Sequence, residues 1–325
     1  MTNELEPILS QFPATKSCAA TRDLVRIDGG FSGASVWRFE CASQRWAVRC
    51  WPTGYRADRL AWIQSILLSL PATLAVPKPL LSSSGQSFVS HDGLFWTVET
   101  WLLGVADFWT NPTNQRLQAA MRMLAEFHRA TNRWSQGPHA IPAIQERIDA
   151  LHKHSKSLAS YEEAMIGQPH DFESLLRKLL AAARDELPQS QAALEQVASS
   201  TSVLIPCIRD VWHDHVLFTA DQVTGLIDFG AMRMDSVAVD IARLAGSLAG
   251  DDRRMRALAV SAYAAVNPLT QTDLSLVNVI DASSPVIAGL NWVRWLCVEK
   301  RTFPDTTKVL ERMQKILERL KGVEG

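Results

Sequence analysis

Two carboxylates along this 325-residue chain are spaced for chemistry. Asp210 follows Arg209 in Cys207-Ile208-Arg209-Asp210-Val211-Trp212-His213-Asp214-His215, and Asp228 opens Asp228-Phe229-Gly230 further on. Between them, Val216-Leu217-Phe218 and Val223-Thr224-Gly225-Leu226-Ile227 flank the turn-rich Thr219-Ala220-Asp221-Gln222, a pattern that predicts a β-hairpin. A hairpin folds the intervening chain back on itself, so a carboxylate before it and another just after it can converge on one site. Such a pair suits phosphoryl transfer, in which one carboxylate orients an attacking hydroxyl and the other holds Mg²⁺ across nucleotide phosphates.

The elements that must position these groups follow from periodicity. Leu24 to Ile27 reads as a strand that leads into Gly29-Gly30-Phe31-Ser32-Gly33-Ala34-Ser35, and Val36 to Cys41 alternates as a second strand. A glycine loop followed by a strand rather than a helix argues against a Rossmann or P-loop site and for a hairpin lid whose backbone N–H groups contact phosphate. In Trp46-Ala47-Val48-Arg49-Cys50-Trp51 the two-residue period puts Arg49 on a face with Ala47 and Trp51. Its stem can cover Trp51, and its guanidinium can bind phosphate bidentately. A short helix is predicted from Arg59 to Leu70 and a further strand from Phe95 to Trp101, after which three- and four-residue spacings predict helices up to the segment before the hairpin and again from about Ala238. His128, on an apolar helical stripe, reads as a structural histidine, and Asp240 as a helix-start or loop-bracing residue.

Composition narrows the classes. Hydrophobic residues are 47% and charged residues 21%, the balance of an ordinary globular protein rather than a disordered or fibrous one. Thirty-three Lys and Arg against 34 Asp and Glu leave a net charge of -1, so no basic field points to nucleic acid or an anionic membrane, and a small molecule is the expected partner. The five cysteines are odd in number and widely spaced, which predicts neither a disulfide framework nor a zinc knuckle and fits a reducing cytoplasm. Met1 to Glu6 has neither a basic start nor an apolar run, and no continuous apolar stretch predicts a membrane helix.

Taken together, these residues resemble the aminoglycoside phosphotransferase family of small-molecule kinases, which has the protein-kinase-like fold. Arg209-Asp210 stands where that family has its catalytic Asp, Asp228-Phe229-Gly230 matches the metal-binding D-F-G, and His215 occupies the place of a metal-binding Asn. The resemblance implies a two-lobed α+β fold, with a small antiparallel-sheet lobe over residues 1–101 that binds nucleotide and a larger helical catalytic and substrate lobe over 102–325. It implies ATP held by Gly30, Ser32, Gly33, Ala34 and Arg49, with adenine against the backbone around Glu99 and Trp101. Asp228 and His215 would hold Mg²⁺, and Asp210 would orient the acceptor. Imidazole is a poor ligand for Mg²⁺, so Asp214 supplying an oxygen, Mn²⁺ at His215, or a pseudokinase that binds nucleotide without turnover are the alternatives. The helical acidic partner usual for the cation at Arg49 stays unassigned, with Asp58 and Gln64 the only polar candidates near the expected place. No long activation loop or A-P-E element follows Gly230, so a small hydroxyl metabolite rather than a protein is the expected acceptor. The aromatic and basic set Trp292, Arg294, Trp295, Lys300 and Arg301 points away from polycationic aminoglycosides.

Overall fold

The computed structural model of the protein describes residues 5–18, 24–27, 34–165, 170–303 and 305–322. The chain forms two compact units, Met1–Thr131 with His213–Met232 and Asn132–Trp212 with Arg233–Gly325. The fold is α+β, with an antiparallel sheet in the N-terminal region and helices dominating the C-terminal region.

In the first unit, β1 (Val25–Ile27), β2 (Ser35–Cys41), β3 (Gln44–Cys50), β4 (Val89–His91) and β5 (Leu94–Thr100) form a five-stranded antiparallel sheet in the order β1-β2-β3-β5-β4. The β2–β3 hairpin turns through Ala42 and Ser43, both at positive φ (50° and 63°), the backbone that matches the twist of the flanking strands. Alternation along β3 divides the sheet faces as the sequence predicts. Val48 and Val98 enter a core with Ile8 and Leu9 of the short helix α1 (Glu6–Leu9), together with Phe12 and Phe39. Ala47, Arg49 and Trp51 face the opposite way, toward α2 (Ala57–Ser69), whose Ile63, Gln64 and Leu67 line the same pocket as Arg49. Because β3 and β5 pair with Arg49 opposite Thr97 and Ala47 opposite Glu99, Glu99 lies diagonally across from Arg49 on one face.

The expected hairpin is β8 (Val216–Thr219) and β9 (Gln222–Leu226), which belongs to the first unit together with α3 (Asn114–Thr131). Backbone bonds fasten it: Val105 and Phe218 exchange N–H···O bonds of 2.9 Å, and the Leu226 N–H donates to the Ala75 carbonyl at 2.8 Å. Gly104, at φ 114°, makes this junction possible, since a Cβ there would strike Thr224 Oγ1 and lie 2.9 Å from the Phe218 carbonyl. Phe229 then packs on Phe127 of α3 with ring centroids 5.4 Å apart, which fixes the chain immediately after Asp228.

The second unit contains a three-stranded antiparallel sheet that the helical periodicity did not predict, β6 (Gln136–Ala140), β7 (Thr201–Cys207) and β10 (Arg233–Asp235), in the order β10-β7-β6. All of β6 is exposed and it contains Gly137 and Pro138, so it carries no alternating apolar signal to read. Around this sheet lie α4 (Pro142–Ala164), α5 (His170–Gln196), α6 (Ala238–Ala249), α7 (Arg253–Ala264), α8 (Gln271–Val293) and α9 (Thr306–Lys321). The segment Gln271–Val298 is long and apolar enough to cross a membrane by length and composition alone, with 61% of that window buried inside the protein. It packs as a core helix, with Gly289 letting the Leu179 side chain of α5 approach closely. Cys41 is disulfide-bonded, a pairing that the wide cysteine spacing did not predict, while Cys50, Cys207 and Cys297 are free thiols.

The chain leaving β7 is clamped by a buried side chain. Asp240, in the first turn of α6 and fully buried, accepts the Ile208 and Arg209 N–H groups at 2.6 Å each, and Arg209 is held at φ 67°. The loop-bracing role expected of Asp240 is therefore what the structure shows. Replacing Asp240 by Ala strands two backbone donors in the interior, and urea unfolding should show a loss of about 3 kcal/mol. A loss within error of zero would mean that the clamp does not hold the loop.

Candidate active site

The site in the first unit is built around one guanidinium. Arg49 on β3, with its side chain 15% exposed, lies 3.6 Å from Glu99 Oε1 and 3.6 Å from Asp228 Oδ1. Its guanidinium also lies over Trp51, with Cζ 5.4 Å from the ring centroid. Glu99 is buried, and burial pushes its carboxyl above the usual carboxylate range, with Arg49 pulling it down and Asp228 pushing it up. In the same pocket Gln64 is 1% exposed with its Oε1 unpartnered, and Arg49 Nε is likewise buried without a partner. The acid that the sequence sought on the helix is thus on the neighbouring strand: Glu99, not Asp58 or Gln64, is the partner of Arg49. Asp58 is turned instead to Arg56 at the exposed start of α2. The two-residue period of β5 was the signal that could have found this, because it places Glu99 two positions beyond the residue facing Arg49.

Asp228 sits at φ 65°, an uncommon backbone for a residue with a Cβ, and its side chain is 31% exposed. Such strained positions persist only where the surroundings over-determine them. Here the Ile227 N–H bonds the His215 carbonyl at 2.9 Å, and the Gly230 carbonyl accepts from Tyr55 Oη at 2.8 Å and from Arg59 Nη2 at 3.0 Å. His215 Nε2 lies 3.7 Å from Asp228 Oδ2, so the structure brings Arg49, Glu99, His215 and Asp228 together in one unit. Asp214 is turned elsewhere, its Oδ1 3.1 Å from Nε2 of the buried His213, whose ring stacks on Trp109 at 3.4 Å between centroids.

Asp210 belongs to the second unit, where its Oδ1 accepts a 2.6 Å bond from Arg243 Nη2 of α6. The preceding Arg209 reaches Asp235 Oδ2 at 2.8 Å and Glu146 Oε2 at 2.5 Å. Burial lifts the Asp235 carboxyl to about 6 in spite of Arg209. Of the other residues singled out in the sequence, Gly30, Ser32 and Gly33 lie outside the described residues, and Ala34 is partly buried just before β2. Along the segment expected to meet adenine, the Thr100 N–H already bonds the Lys78 carbonyl at 3.0 Å and the Trp101 N–H bonds the Arg45 carbonyl at 3.0 Å. Among the described residues, Leu102 has the first backbone N–H beyond Glu99 that is not engaged in this way.

No curated protein matches the sequence. Among solved structures, the fold is similar to an aminoglycoside phosphotransferase from Alicyclobacillus acidocaldarius (TM-score 0.62, 19% identity, 91% of this chain and 89% of that one). It is also similar to a spectinomycin phosphotransferase bound to AMP (TM-score 0.69, 12% identity, 99% and 98% covered). An amicoumacin kinase in complex with AMP-PNP, Ca²⁺ and Ami is a third such structure (TM-score 0.61, 14% identity, 92% and 89% covered). The model of the phosphotransferase enzyme family matches residues 23–269, most of the chain, and the protein belongs to that family.

Proposed function

We propose that the protein transfers the γ-phosphoryl group of ATP to a hydroxyl of a small metabolite. The observation that carries this reading is Arg49 fixed between a buried carboxylate and Asp228 in a pocket, an arrangement with a rigid cation ready for phosphate and a half-exposed oxygen ligand beside it. In this reading residues 1–101 form the nucleotide lobe and 102–325 the catalytic and substrate lobe. The glycine segment with Gly30, Ser32, Gly33 and Ala34 covers the phosphates, and adenine meets the backbone of the Glu99–Trp101 segment and Leu102. ATP dependence favours the cytoplasm as the place of action.

Asp228 suits Mg²⁺, a hard ion bound by one or two carboxylates with the rest of its shell from water and phosphate oxygens. His215 is the neighbour at Asp228 Oδ2, and an imidazole there also suits the softer Mn²⁺. When bound, the ion neutralises charge developing on the phosphate oxygens. Arg49 then turns from Asp228 toward phosphate while Glu99 keeps it in place. Asp210 orients the acceptor hydroxyl. The new bond joins that oxygen to the γ-phosphorus, the bond from phosphorus to the β-phosphate oxygen breaks, and ADP leaves. The hydroxyl proton passes to Asp210 late in the reaction, since the transition state is largely dissociative.

Incubating the protein with ATP, Mg²⁺ and a panel of hydroxyl compounds should give ADP only when an acceptor is present. Asp210→Asn should abolish this turnover and leave ADP affinity within about twofold of native. Retained turnover would remove Asp210 from the chemistry, and ADP binding without transfer to any compound would favour the nucleotide-binding pseudokinase. Glu99→Gln separates holding Arg49 from merely filling the core. ADP affinity should fall about tenfold while adenosine affinity stays unchanged, because only the phosphates need Arg49. An equal loss for both ligands would show a general disturbance of the pocket.

A further inference from the structure

The charges around Asp210 in the second unit are unequal in a way that bears on the acceptor. The carboxylates of this region are already engaged: Glu146 with Arg209 and Arg233, Asp235 with Arg209, and Asp281 with Arg256 and Arg319. Arg147 is not matched in this way. Arg147 of α4, only partly exposed, donates to the neutral hydroxyls of Ser283 and Ser284 at 3.1 Å each, and among the described residues no carboxylate lies within ion-pair distance of it. Burial and repulsion from Arg243 and Arg209 draw its pKa down to about 10, partly offset by Asp281 and Asp235. Arg243 has as its ion-pair partner Asp210, the carboxylate assigned to the acceptor hydroxyl. A third guanidinium, Arg312, lies over the ring of Trp212 at 4.1 Å, two residues from Asp210.

A cationic acceptor would find these carboxylates taken and guanidiniums in its way. An anionic one would supply the counter-charge that Arg147 lacks and would draw Arg243 off Asp210, leaving that oxygen to take the hydroxyl proton. We propose that the acceptor carries an anionic group, a carboxylate or a phosphate, and that Arg147 and Arg243 receive it. This deepens the phosphotransferase reading and rests on it. It separates the acceptor by charge from the polycationic class, a distinction that the fold shared with the aminoglycoside enzymes does not make.

Three small hydroxyl compounds of one carbon skeleton test the proposal: glycerate, glycerol and the amine serinol, with inorganic phosphate added to distinguish a phosphate from a carboxylate requirement. Each is titrated calorimetrically into the full chain, with and without saturating ADP and Mg²⁺. Glycerate or phosphate should bind at least about tenfold more tightly than glycerol and serinol, and should lose about tenfold in Arg147→Met and in Arg243→Gln. Arg243→Gln lies at a half-exposed position and keeps the test readable if Arg147→Met fails to fold. Serinol or glycerol binding as tightly as the anions, anion binding unchanged in Arg243→Gln, or no anion binding at all would overturn the proposal. The ADP titration in the same samples reports the phosphotransferase reading separately. A protein that binds anions through these arginines but not ADP would fail that reading alone.

Discussion

The arrangement of the first unit depends on keeping one positive charge fixed in a place where water cannot solvate it fully. Arg49 sits on a strand covered on both faces, and a guanidinium there is tolerable only with carboxylates beside it. Glu99 supplies the deeply buried one from the adjacent strand, and Asp228 supplies the more exposed one. The asymmetry suits the exchange proposed for Arg49. A cation with two equally buried partners would be locked, whereas one with a deep anchor and a shallow contact can exchange the shallow contact for phosphate without losing its position.

The two acidic segments are held by the same device in different units. Arg209 and Asp228 both adopt left-handed backbone without being glycine, and each is secured by bonds to main-chain groups around it. In one case the clamp is the buried Asp240 carboxylate on Ile208 and Arg209, and in the other it is the hairpin edge and the Gly230 carbonyl gripped by Tyr55 and Arg59. Strain of this sort costs free energy locally, and the packing of Phe229 on Phe127 helps to sustain it.

Much of this was legible in the sequence because it depends on local pattern. The hairpin between the two acidic segments, the alternation that faces Arg49 away from Val48, and the helical stripe carrying His128 all follow from period-two or period-3.6 spacing. What escaped depends on pairing between distant segments. Glu99 reads as part of the backbone segment facing adenine until the β3–β5 register sets it diagonally across from Arg49. The exposed β6, without apolar alternation, becomes a strand only because β7 offers it an edge. Gln64 appears in the sequence as a polar candidate for the partner of Arg49, yet a neutral amide cannot balance a guanidinium, and its Oε1 is buried without a partner. The ionic surroundings of Asp210 were likewise invisible, since Arg147, Arg243 and Arg312 come from three separate helices.

The central claim is that Arg49 and Asp228 together form the phosphate and metal half of a nucleotide site. Calorimetric titration of ADP with and without Mg²⁺, in the native protein and in Asp228→Asn, tests it most directly. The account predicts that Mg²⁺ tightens ADP binding at least about tenfold in the native protein and has no effect in Asp228→Asn. ADP affinity indifferent to Mg²⁺ in the native protein, or a Mg²⁺ effect that survives in Asp228→Asn, would contradict it.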